Sequence, residues 1–341
     1  KNPDKGLQLL EDITPEVLAA AEALIGAKAL TVTPKNDEKS IYVRCTLRAE
    51  GEEVVCITRN AHTNIVYLSR NGEILLDAAP QAAAGSGDPL VDVLQEMTIA
   101  GIRQLVCQAT EEELAFLQDG VEMNEALAAY SETSPMGIGL AEVLRSPAAA
   151  NLLGTSLVSR ITYAVTSAAE SRLDGCPLPT MSSSGAGTKG LVVILPISET
   201  AKAIGADRLT ALRAIALGHL VNRYINAYVG KLSPMCSCVM CSSTAASAGI
   251  AFLLGGTDEQ IGHAIRNMSG TVTGMICDGG KVGCALKVAT GSFAALSSAL
   301  HAVSGAALRV TDGICAETPE QCIRNMAQIG NQGMANTDRV I

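Results

Sequence analysis

Hydrophobic and polar positions along the chain follow two periods, the period of two of a β-strand and the period of about 3.6 of an α-helix. The first 85 residues show mostly the period of two. Thr14-Pro15-Glu16 predicts a helix start, because a capping threonine precedes a proline and an acidic residue, and the helix extends to about residue 27. Beyond it, runs rich in Val, Ile, Thr and Tyr have a period of two, and Glu50-Gly51 and Asn71-Gly72 predict hairpin turns. The predicted strands are residues 29–34, 41–48, 53–59 and 64–69. This pattern indicates a small antiparallel sheet with one helix.

The rest of the chain follows the helical period almost throughout. The predicted helices are residues 90–108, 110–127, 137–145, 147–170, 206–229, 245–254, 258–268, 285–303 and 319–329. Residues 78–87 contain Ala-Ala-Ala-Gly-Ser-Gly and predict a linker. The predicted fold class is therefore α+β. A small sheet-and-helix domain over residues 1–85, incomplete at its N-terminus, packs on a large, mainly α-helical domain over residues 86–341.

Composition narrows the classes of function. The chain has 25 Lys and Arg against 34 Asp and Glu, and its net charge of −9 repels nucleic acid and acidic lipid surfaces. Hydrophobic residues make up 48% of the chain and charged residues 17%, so it is too apolar to be disordered. Aromatic residues are only 3%, without Trp, which leaves little material for base-stacking platforms. We expect a globular protein that holds a small ligand through backbone and polar groups.

No membrane or secretory segment is expected. The uncharged run from Leu232 to Thr257 is the strongest candidate for a membrane span, but its serines favour a buried helix. The first residues are charged and lack the apolar stretch of a signal peptide. The sequence therefore predicts a cytoplasmic protein without nucleic-acid or membrane partners. Monomer and homodimer both stay open.

Eleven cysteines in a cytoplasmic chain favour free thiols or metal ligands over disulfides. Five of them form two groups: Cys236, Cys238 and Cys241, then Cys277 and Cys284. Thiolates at such short spacings can reach one soft metal centre. Zinc sites usually show two Cys-x-x-Cys pairs and this chain has one, so an iron–sulfur centre is favoured over zinc. The alternative is a set of buried helical cysteines without metal.

The segment from Ser182 to Gly190 is rich in serine and glycine and contains G-x-G-x-x-G. A dinucleotide site needs a strand before these glycines and a helix after them, whereas here a Pro-rich loop precedes and the β-like run Leu191 to Pro196 follows. No Gly-Lys-Ser/Thr closes a Walker A motif. The glycines allow backbone N–H groups to converge on a carboxylate or phosphate. The predicted substrate-binding residues are Ser183, Ser184, Gly185, Gly187, Thr188 and Lys189, and the alternative is a flexible connector.

A polar trio lies between two predicted strands. His62, Thr63 and Asn64 have the side chains to orient a substrate or to move a proton. A hairpin turn explains Asn64 without any function. The other histidines, His219, His263 and His301, lie in predicted helices, where we expect a packing role.

Four segments of the chain together form a recognisable pattern. The most specific is Met275-Ile276-Cys277-Asp278-Gly279, continued by Gly280-Lys281 and Gly283-Cys284. The others are Pro234-Met235-Cys236-Ser237-Cys238, Leu253-Leu254-Gly255-Gly256 and His62-Thr63-Asn64. With these segments the chain resembles the iron–sulfur L-cysteine desulfidase family, which is related to the alpha part of iron–sulfur L-serine dehydratases and includes many proteins of unassigned activity. The resemblance covers residues 7 to 341.

The resemblance implies a 4Fe-4S cluster, held by cysteines, whose unique iron acts as a Lewis acid on a small L-amino acid. The implied reaction eliminates sulfide or water, with ammonia, from L-cysteine or L-serine to give pyruvate. Cys277 and one of Cys236 and Cys238 match the family's ligand positions, and Cys284 lies near a cysteine that serine dehydratases use. The segment around Ser183 matches the family's Gly-rich segment, which supports a carboxylate-binding role.

Two departures from the family pattern matter for the site. Relatives begin with Gly-Cys-Thr-Glu-Pro, whose cysteine is a ligand, and nothing like it precedes Cys45, so one ligand is missing from this chain. Either an upstream piece is left out, or the cluster is incomplete. Relatives also read closer to Gly-Ser-Gly-Asn-Gln-Gly where Lys189 lies here, and its charge favours carboxylate binding.

The base that removes the α-proton is not identified by the sequence. Lys281, Lys287 and His62 are candidates on chemical grounds. Two other functions compete with the cluster lyase. One is a pyridoxal-phosphate lyase with Lys189 as the Schiff-base lysine. The other is a non-catalytic iron–sulfur or redox sensor.

Overall fold

The computed structural model describes residues 5, 9–10, 12–35, 38, 41–60, 64–78, 89–230 and 233–341. The chain divides into two compact units, residues 1–87 and 88–341. Within the described residues, the four strands of the sheet all lie in the first unit, and the second unit is built from helices. The predicted α+β class is confirmed. The predicted linker falls almost wholly outside the described residues.

The first unit is a helix and a four-stranded antiparallel sheet in the order β1-β2-β3-β4. Its elements are α1 (Pro15–Gly26), β1 (Tyr42–Ala49), β2 (Glu52–Arg59), β3 (Ile65–Arg70) and β4 (Glu73–Asp77). Both predicted hairpin turns are confirmed, with φ of 53° and 83° at Glu50-Gly51 and of 51° and 83° at Asn71-Gly72. The strand predicted over residues 29–34 is wrong. The fourth strand is instead β4, which follows the turn at Asn71-Gly72 and pairs with β3. The turn itself indicates this strand, because a hairpin turn needs a strand on each side.

The second unit is a bundle of helices with a short π-helical segment near its end. Its elements are α2 (Pro89–Glu96), α3 (Ile99–Gln108), α4 (Glu111–Leu114), α5 (Phe116–Thr133), α6 (Leu140–Arg145), α7 (Pro147–Leu153), α8 (Leu157–Leu173), α9 (Gly187–Ile204), α10 (Arg208–Val229), α11 (Ser237–Leu253), α12 (Asp258–Val272), α13 (Cys284–Val303), α14 (Pro319–Gln328), the π segment (Ile329–Gly333) and α15 (Thr337–Val340). Among the described helices, none is long and apolar enough to cross a membrane.

Capping side chains fix where several of these helices begin. The hydroxyls of Thr110 and Thr257 accept the N–H of the third helical residue, and Glu113 and Gln260 at those positions accept the N–H of the cap in return. Asp207 caps α10 through the N–H of Thr210 at 2.9 Å. The hydrogen bonds of these three caps satisfy backbone N–H groups that a helix start would otherwise leave unpaired.

Helix α9 lies at the centre of the second unit, and the β-like run predicted over Leu191 to Pro196 is wrong. Every residue from Gly187 to Ser198 is buried, and α9 packs against α5, α8, α10 and α11. A helix surrounded on all sides is apolar all round and shows no amphipathic period, so a Val/Ile/Leu run of this kind resembles a buried strand. Pro196 lies inside the helix.

Glycines let the central helices approach closely. A Cβ at Gly249 of α11 would lie 2.4 Å from Cδ1 of Ile197 on α9 and 2.8 Å from the carbonyl oxygen of Ala214 on α10. A Cβ at Gly190, in the first turn of α9, would lie 1.9 Å from the carbonyl oxygen of Met181. These distances leave no room for any side chain, so the segment before α9 is held directly against the helix backbone.

We expect Gly190→Ala to lower the free energy of unfolding by about 3 kcal/mol, because the added methyl group clashes with backbone rather than with a flexible side chain. Thermal unfolding followed by circular dichroism measures this change. Gly333→Ala is the matched control, since the nearest atom to its Cβ would be a side-chain carbon of Ile329 at 3.9 Å. Equal melting temperatures for the two variants would contradict the close packing at Gly190.

Candidate functional site

A tight turn positions the first two predicted substrate-binding serines. Ser183 and Ala186 exchange two backbone hydrogen bonds of 3.2 Å, and φ is 49° at Ser184 and 77° at Gly185. Positive φ at both central residues is the conformation of a type I′ turn. Glycine adopts it readily, whereas Ser184 holds it because the two bonds close the turn. We call residues 183–186 the serine turn.

Helix α9 begins immediately after the serine turn. Its N-cap is Ala186, which provides no side-chain cap, and Thr188 and Lys189 lie in the first helical turn. The predicted loop over residues 182–190 therefore ends at residue 186. A helix does follow the glycines, where a β-like run was expected. A dinucleotide site also needs a strand directly before the glycines, and in the described part of the chain the element that directly precedes them is α8. The start of α9 presents N–H groups without a side-chain cap, and such groups favour an anion.

The guanidinium of Arg172 lies at the start of α9, beside Gly187. A Cβ at Gly187 would lie 2.4 Å from Nε of Arg172, so the guanidinium lies against the helix backbone. Arg172 also donates to Oγ1 of Thr188 at 3.1 Å. Because Gly187 has no side chain, the positively charged guanidinium of Arg172 can approach the backbone at the start of α9.

Lys189 is the charged centre of the site, with its side chain 6% exposed. Its ammonium donates to Oδ1 of Asn226. In the part of the chain that the structure describes, no carboxylate lies within salt-bridge distance of it. Because a buried charge is costly unless it is compensated, this ammonium favours an anionic ligand.

Asn226 begins a chain of buried hydrogen bonds that ends at the serine turn. Its amide donates to Oδ1 of Asn222 at 2.9 Å, and Asn222 donates to Oγ of Ser183 at 2.7 Å and of Ser184 at 3.2 Å. Nδ1 of His219 lies 3.0 Å from Oγ of Ser183. Lys189 and the serine turn are therefore parts of one buried polar network.

Sequence reasoning missed three members of this network, His219, Asn222 and Asn226. All three lie on α10, where His219 was expected to have only a packing role. Their spacing of three and four residues places them on one helix face, and polar residues repeated on one face of an otherwise buried helix are the signal that identifies them.

Burial keeps His219 neutral. It lowers the pKa of the imidazole to about 4. Nε2 is fully buried and has no hydrogen-bond partner among the described residues. The histidine also lines a cavity of about 460 Å³ together with Leu105, Phe116, Leu117 and Glu113. A neutral imidazole can donate from one nitrogen and accept at the other.

The first cysteine group lies at the start of α11. Cys236 is the N-cap residue, and Cys238 and Cys241 follow in the first helical turns. Burial raises the pKa of Cys238 and of Cys241 to about 12, and the charge of Lys189 acts in the opposite direction on both. Lys189 therefore lies within electrostatic reach of these thiols.

A backbone bridge joins the two cysteine groups. The N–H of Cys236 donates to the carbonyl oxygen of Met275 at 2.8 Å, and the N–H of Cys277 donates to that of Pro234 at 2.7 Å. Met235 and Ile276 are thereby paired as in an antiparallel sheet. Burial raises the pKa of Cys236, and the neighbouring Cys277 and Cys284 raise it further. The bridge thus brings Cys236, Cys277 and Cys284 into one another's electrostatic field.

Asp278 organises the charged residues beside the thiols. Its carboxylate pairs with both Lys281 and Lys287, and these hydrogen bonds lower its pKa to about 2. Burial alone would lower the pKa of Lys287, but its hydrogen bond and charge interaction with Asp278 outweigh this effect and raise it. A raised pKa makes Lys287 a poorer base. Lys281, which is exposed, stays a candidate catalytic residue.

The chemistry of these thiols suits an iron–sulfur cluster. Thiolates are the usual ligands of such clusters, and the charges of Lys287 and Lys189 act against the rise in pKa that burial causes in Cys236 and Cys238, respectively. Among the described residues, no group of three or more His, Cys, Asp or Glu side chains is close enough to hold a metal ion. Cys284 donates its thiol proton to the carbonyl oxygen of Gly279 at 3.4 Å. The assignment of Cys236, Cys238, Cys277 and Cys284 as ligands stays a prediction.

The polar trio in the first unit adds little to this picture. His62 and Thr63 lie outside the described residues. Asn64 donates its side-chain amide to the carbonyl oxygen of Arg59 at 2.8 Å, a bond that closes the loop between β2 and β3. This contact agrees with the turn interpretation of Asn64. A catalytic role for His62 and a substrate-binding role for Thr63 and Asn64 stay predictions.

Comparison with known proteins identifies the family. The sequence profile described as "Serine dehydratase alpha chain" matches residues 4–341. The chain belongs to this family. It is 34% identical over 341 residues to a UPF0597 protein of Clostridioides difficile, covering 99% of this chain and 80% of that relative. It is 35% identical over 340 residues to a UPF0597 protein of Desulfotalea psychrophila, covering 98% of this chain and 78% of that relative.

A third relative, a UPF0597 protein of Clostridium tetani, is 35% identical over 336 residues, which cover 98% of this chain and 78% of the relative. The resemblance drawn from the cysteine motifs is thereby confirmed at the level of the family. The serine turn, α9 and both cysteine groups all lie within the matched residues of this serine dehydratase alpha chain family member.

We expect His219 to make folding stability depend on pH. Its pKa falls from an ordinary 6.5 to about 4 on folding, so the folded state disfavours protonation. Between pH 6.5 and pH 4 the wild type should therefore lose on the order of 3 kcal/mol of unfolding free energy relative to His219→Asn, with no further relative loss below pH 4. Urea unfolding across this range measures the difference.

His301→Asn is the control for this measurement, because His301 is exposed on α13. Its stability should follow that of the wild type to within about 0.5 kcal/mol at each pH. Parallel pH profiles for the wild type and His219→Asn would contradict a neutral, buried His219.

Proposed function

We propose that this protein is a lyase of amino-acid catabolism that uses a 4Fe-4S cluster to eliminate water from L-serine or sulfide from L-cysteine, with release of ammonia and pyruvate. One observation carries the proposal. The Lys189 ammonium is hydrogen-bonded through Asn226 and Asn222 to the serine turn and also lies within electrostatic reach of Cys238. A buried cation that suits a substrate carboxylate thus lies within electrostatic reach of a group of thiols. The family's description as a serine dehydratase alpha chain supports the same reaction class.

The anchor suits the carboxylate of a small amino acid. Lys189 supplies a buried positive charge, the start of α9 supplies backbone N–H groups without a side-chain cap, and Ser183 supplies a hydroxyl. Charge-assisted hydrogen bonds of this kind are stronger than neutral ones, especially where water is excluded. A substrate whose carboxylate binds here presents its remaining atoms to the surroundings, which include Cys238.

The reaction balances without an external oxidant or reductant. The Cα–H bond breaks and its electron pair forms the Cα=Cβ double bond. The Cβ–O or Cβ–S bond breaks as well, and the leaving group takes the electron pair of that bond together with a proton. For serine the water released is used again when ammonia is replaced by oxygen, giving pyruvate and ammonia. For cysteine one water is consumed and hydrogen sulfide is also released. When bound, the cluster supplies an iron that stabilises charge on the leaving group.

We expect Lys189→Met to raise the KM for L-serine or L-cysteine at least about tenfold, because the substrate carboxylate loses its cationic partner. Initial rates of pyruvate release at varied substrate concentration measure it. Lys202→Met is a matched control on the same helix, since Lys202 is exposed and pairs with Glu125 and Glu199. Equal KM values for the two variants would overturn the role of Lys189 as carboxylate anchor.

We expect the protein, reconstituted with iron and sulfide without oxygen, to release pyruvate from at least one of the two substrates. Activity should vanish on exposure to air and in Cys277→Ala, because both treatments remove the cluster. Cys107→Ala in α3 should keep its activity, since Cys107 lies outside both cysteine groups. The faster of the two substrates identifies the leaving group.

Iron content separates the lyase from a sensor. A full complement of iron without pyruvate from either substrate would overturn the lyase proposal for serine and cysteine and would favour the non-catalytic sensor. Pyruvate formation that depends on added pyridoxal phosphate and survives Cys277→Ala would favour the pyridoxal-phosphate alternative at Lys189.

A further inference from the structure

The direction of each amide hydrogen bond in the buried network follows from Lys189. An ammonium group has three donors and no acceptor, so the atom of Asn226 that faces it must be the carbonyl oxygen Oδ1. The side-chain orientation of Asn226 is thereby fixed, although the oxygen and nitrogen of an amide have nearly the same shape. Its NH₂ group then points the other way, to the carbonyl oxygen of Asn222 at 2.7 Å and to Oδ1 of Asn222 at 2.9 Å.

The same reasoning fixes Asn222. Its Oδ1 accepts from Asn226, and it also accepts from the hydroxyl of Ser242 at 3.1 Å. Its NH₂ group is therefore the end that faces the serine turn, and it donates to Oγ of both Ser183 and Ser184. One of the two acceptor positions of the Ser183 hydroxyl is thus occupied.

His219 determines whether the Ser183 hydroxyl is free to donate a hydrogen bond to a ligand. The answer depends on which ring nitrogen of His219 carries the proton. A proton on Nε2 would leave a buried N–H without a partner, because Nε2 is fully buried and lacks a hydrogen bond among the described residues. A proton on Nδ1 forms a hydrogen bond to Ser183 at 3.0 Å and leaves only an acceptor unpaired. Buried N–H groups without a partner are rarer than unpaired acceptors, so the proton belongs on Nδ1.

We propose that His219 and Asn222 together occupy both acceptor positions of the Ser183 hydroxyl, so that Ser183 can only donate and therefore binds the carboxylate of the substrate rather than its ammonium group. The inference rests on the proposed function for the identity of the substrate, and it specifies how that substrate is oriented. Ser183 contacts the substrate, whereas His219 and Asn222 are positioning residues that act through Ser183. A ligand without a carboxylate gains nothing from this arrangement.

The first test reads the proton position directly and needs neither cluster nor substrate. The chain has four histidines, so side-chain ¹⁵N NMR of the ¹⁵N-histidine-labelled protein gives few signals, and His219→Asn identifies those of His219 by their loss. We expect the Nδ1–H tautomer of His219 at pH 7. The Nε2–H tautomer would overturn the inference, since Ser183 would then donate to His219 rather than to the substrate.

The second test measures ligand binding. By calorimetry, L-lactate, which keeps the carboxylate of serine but lacks its ammonium, should bind, and ethanolamine, which lacks the carboxylate, should not. Ser183→Ala and His219→Leu should each weaken L-lactate binding at least about fivefold. His219→Asn should stay within about twofold of the wild type, because the amide of asparagine keeps a donor near the position of Nδ1. His301→Leu is the control.

The double variant distinguishes a positioning role from a general loss of structure. If His219 acts through Ser183, His219→Leu should have no further effect on L-lactate binding in the Ser183→Ala background. Additive losses would show that His219 only supports the fold. In an active preparation, His219→Leu should raise KM and leave kcat within about twofold, because the lost contact holds substrate throughout the reaction.

The outcomes separate this inference from the proposed function. An Nδ1–H tautomer and carboxylate-dependent binding without any pyruvate would support the inference and overturn the lyase. Pyruvate formation with an Nε2–H tautomer, or with tight ethanolamine binding and no L-lactate binding, would overturn the inference and leave the lyase standing.

Discussion

The buried Lys189 ammonium is the constraint on which the rest of the site depends. A charge inside a helical bundle is costly unless polar groups surround it, and the bundle supplies Asn226, Asn222 and the serine turn in a fixed order. Because the ammonium can only donate, it sets the orientation of each amide beyond it. One residue in the first turn of α9 thereby fixes the direction of the amide hydrogen bonds that end at the serine turn.

Close packing of the central helices makes this arrangement rigid. Gly187 and Gly190 hold the start of α9 against Arg172 and against the backbone of Met181, and Gly249 brings α11 close to α9 and α10. A buried ion with few partners persists only where its surroundings cannot rearrange to admit water. The buried polar network therefore depends on these glycines, because larger side chains would separate the helices around it.

Backbone pairing, rather than a side-chain network, holds the two cysteine groups near each other. The Met235–Ile276 bridge aligns the segment before α11 with the loop before α13, so that cysteines far apart in sequence share one electrostatic environment. Asp278 holds Lys281 and Lys287 beside them. Lys189 lies within electrostatic reach of Cys238, so the polar network of the serine turn and the first cysteine group interact through this pair.

The sequence by itself determined the hairpins at Glu50-Gly51 and Asn71-Gly72, the α+β class, the family and the two cysteine groups, because each depends on local turn chemistry or short spacing. Only the tertiary structure decided that residues 191–196 form a helix, since burial on all sides removes the period that identifies one. It also decided that His219 belongs to the site rather than to the packing, because its contact with Ser183 joins α10 to a turn that precedes α9. Hydrogen-bond direction and charge burial depend on such contacts between distant segments, and no local pattern records them.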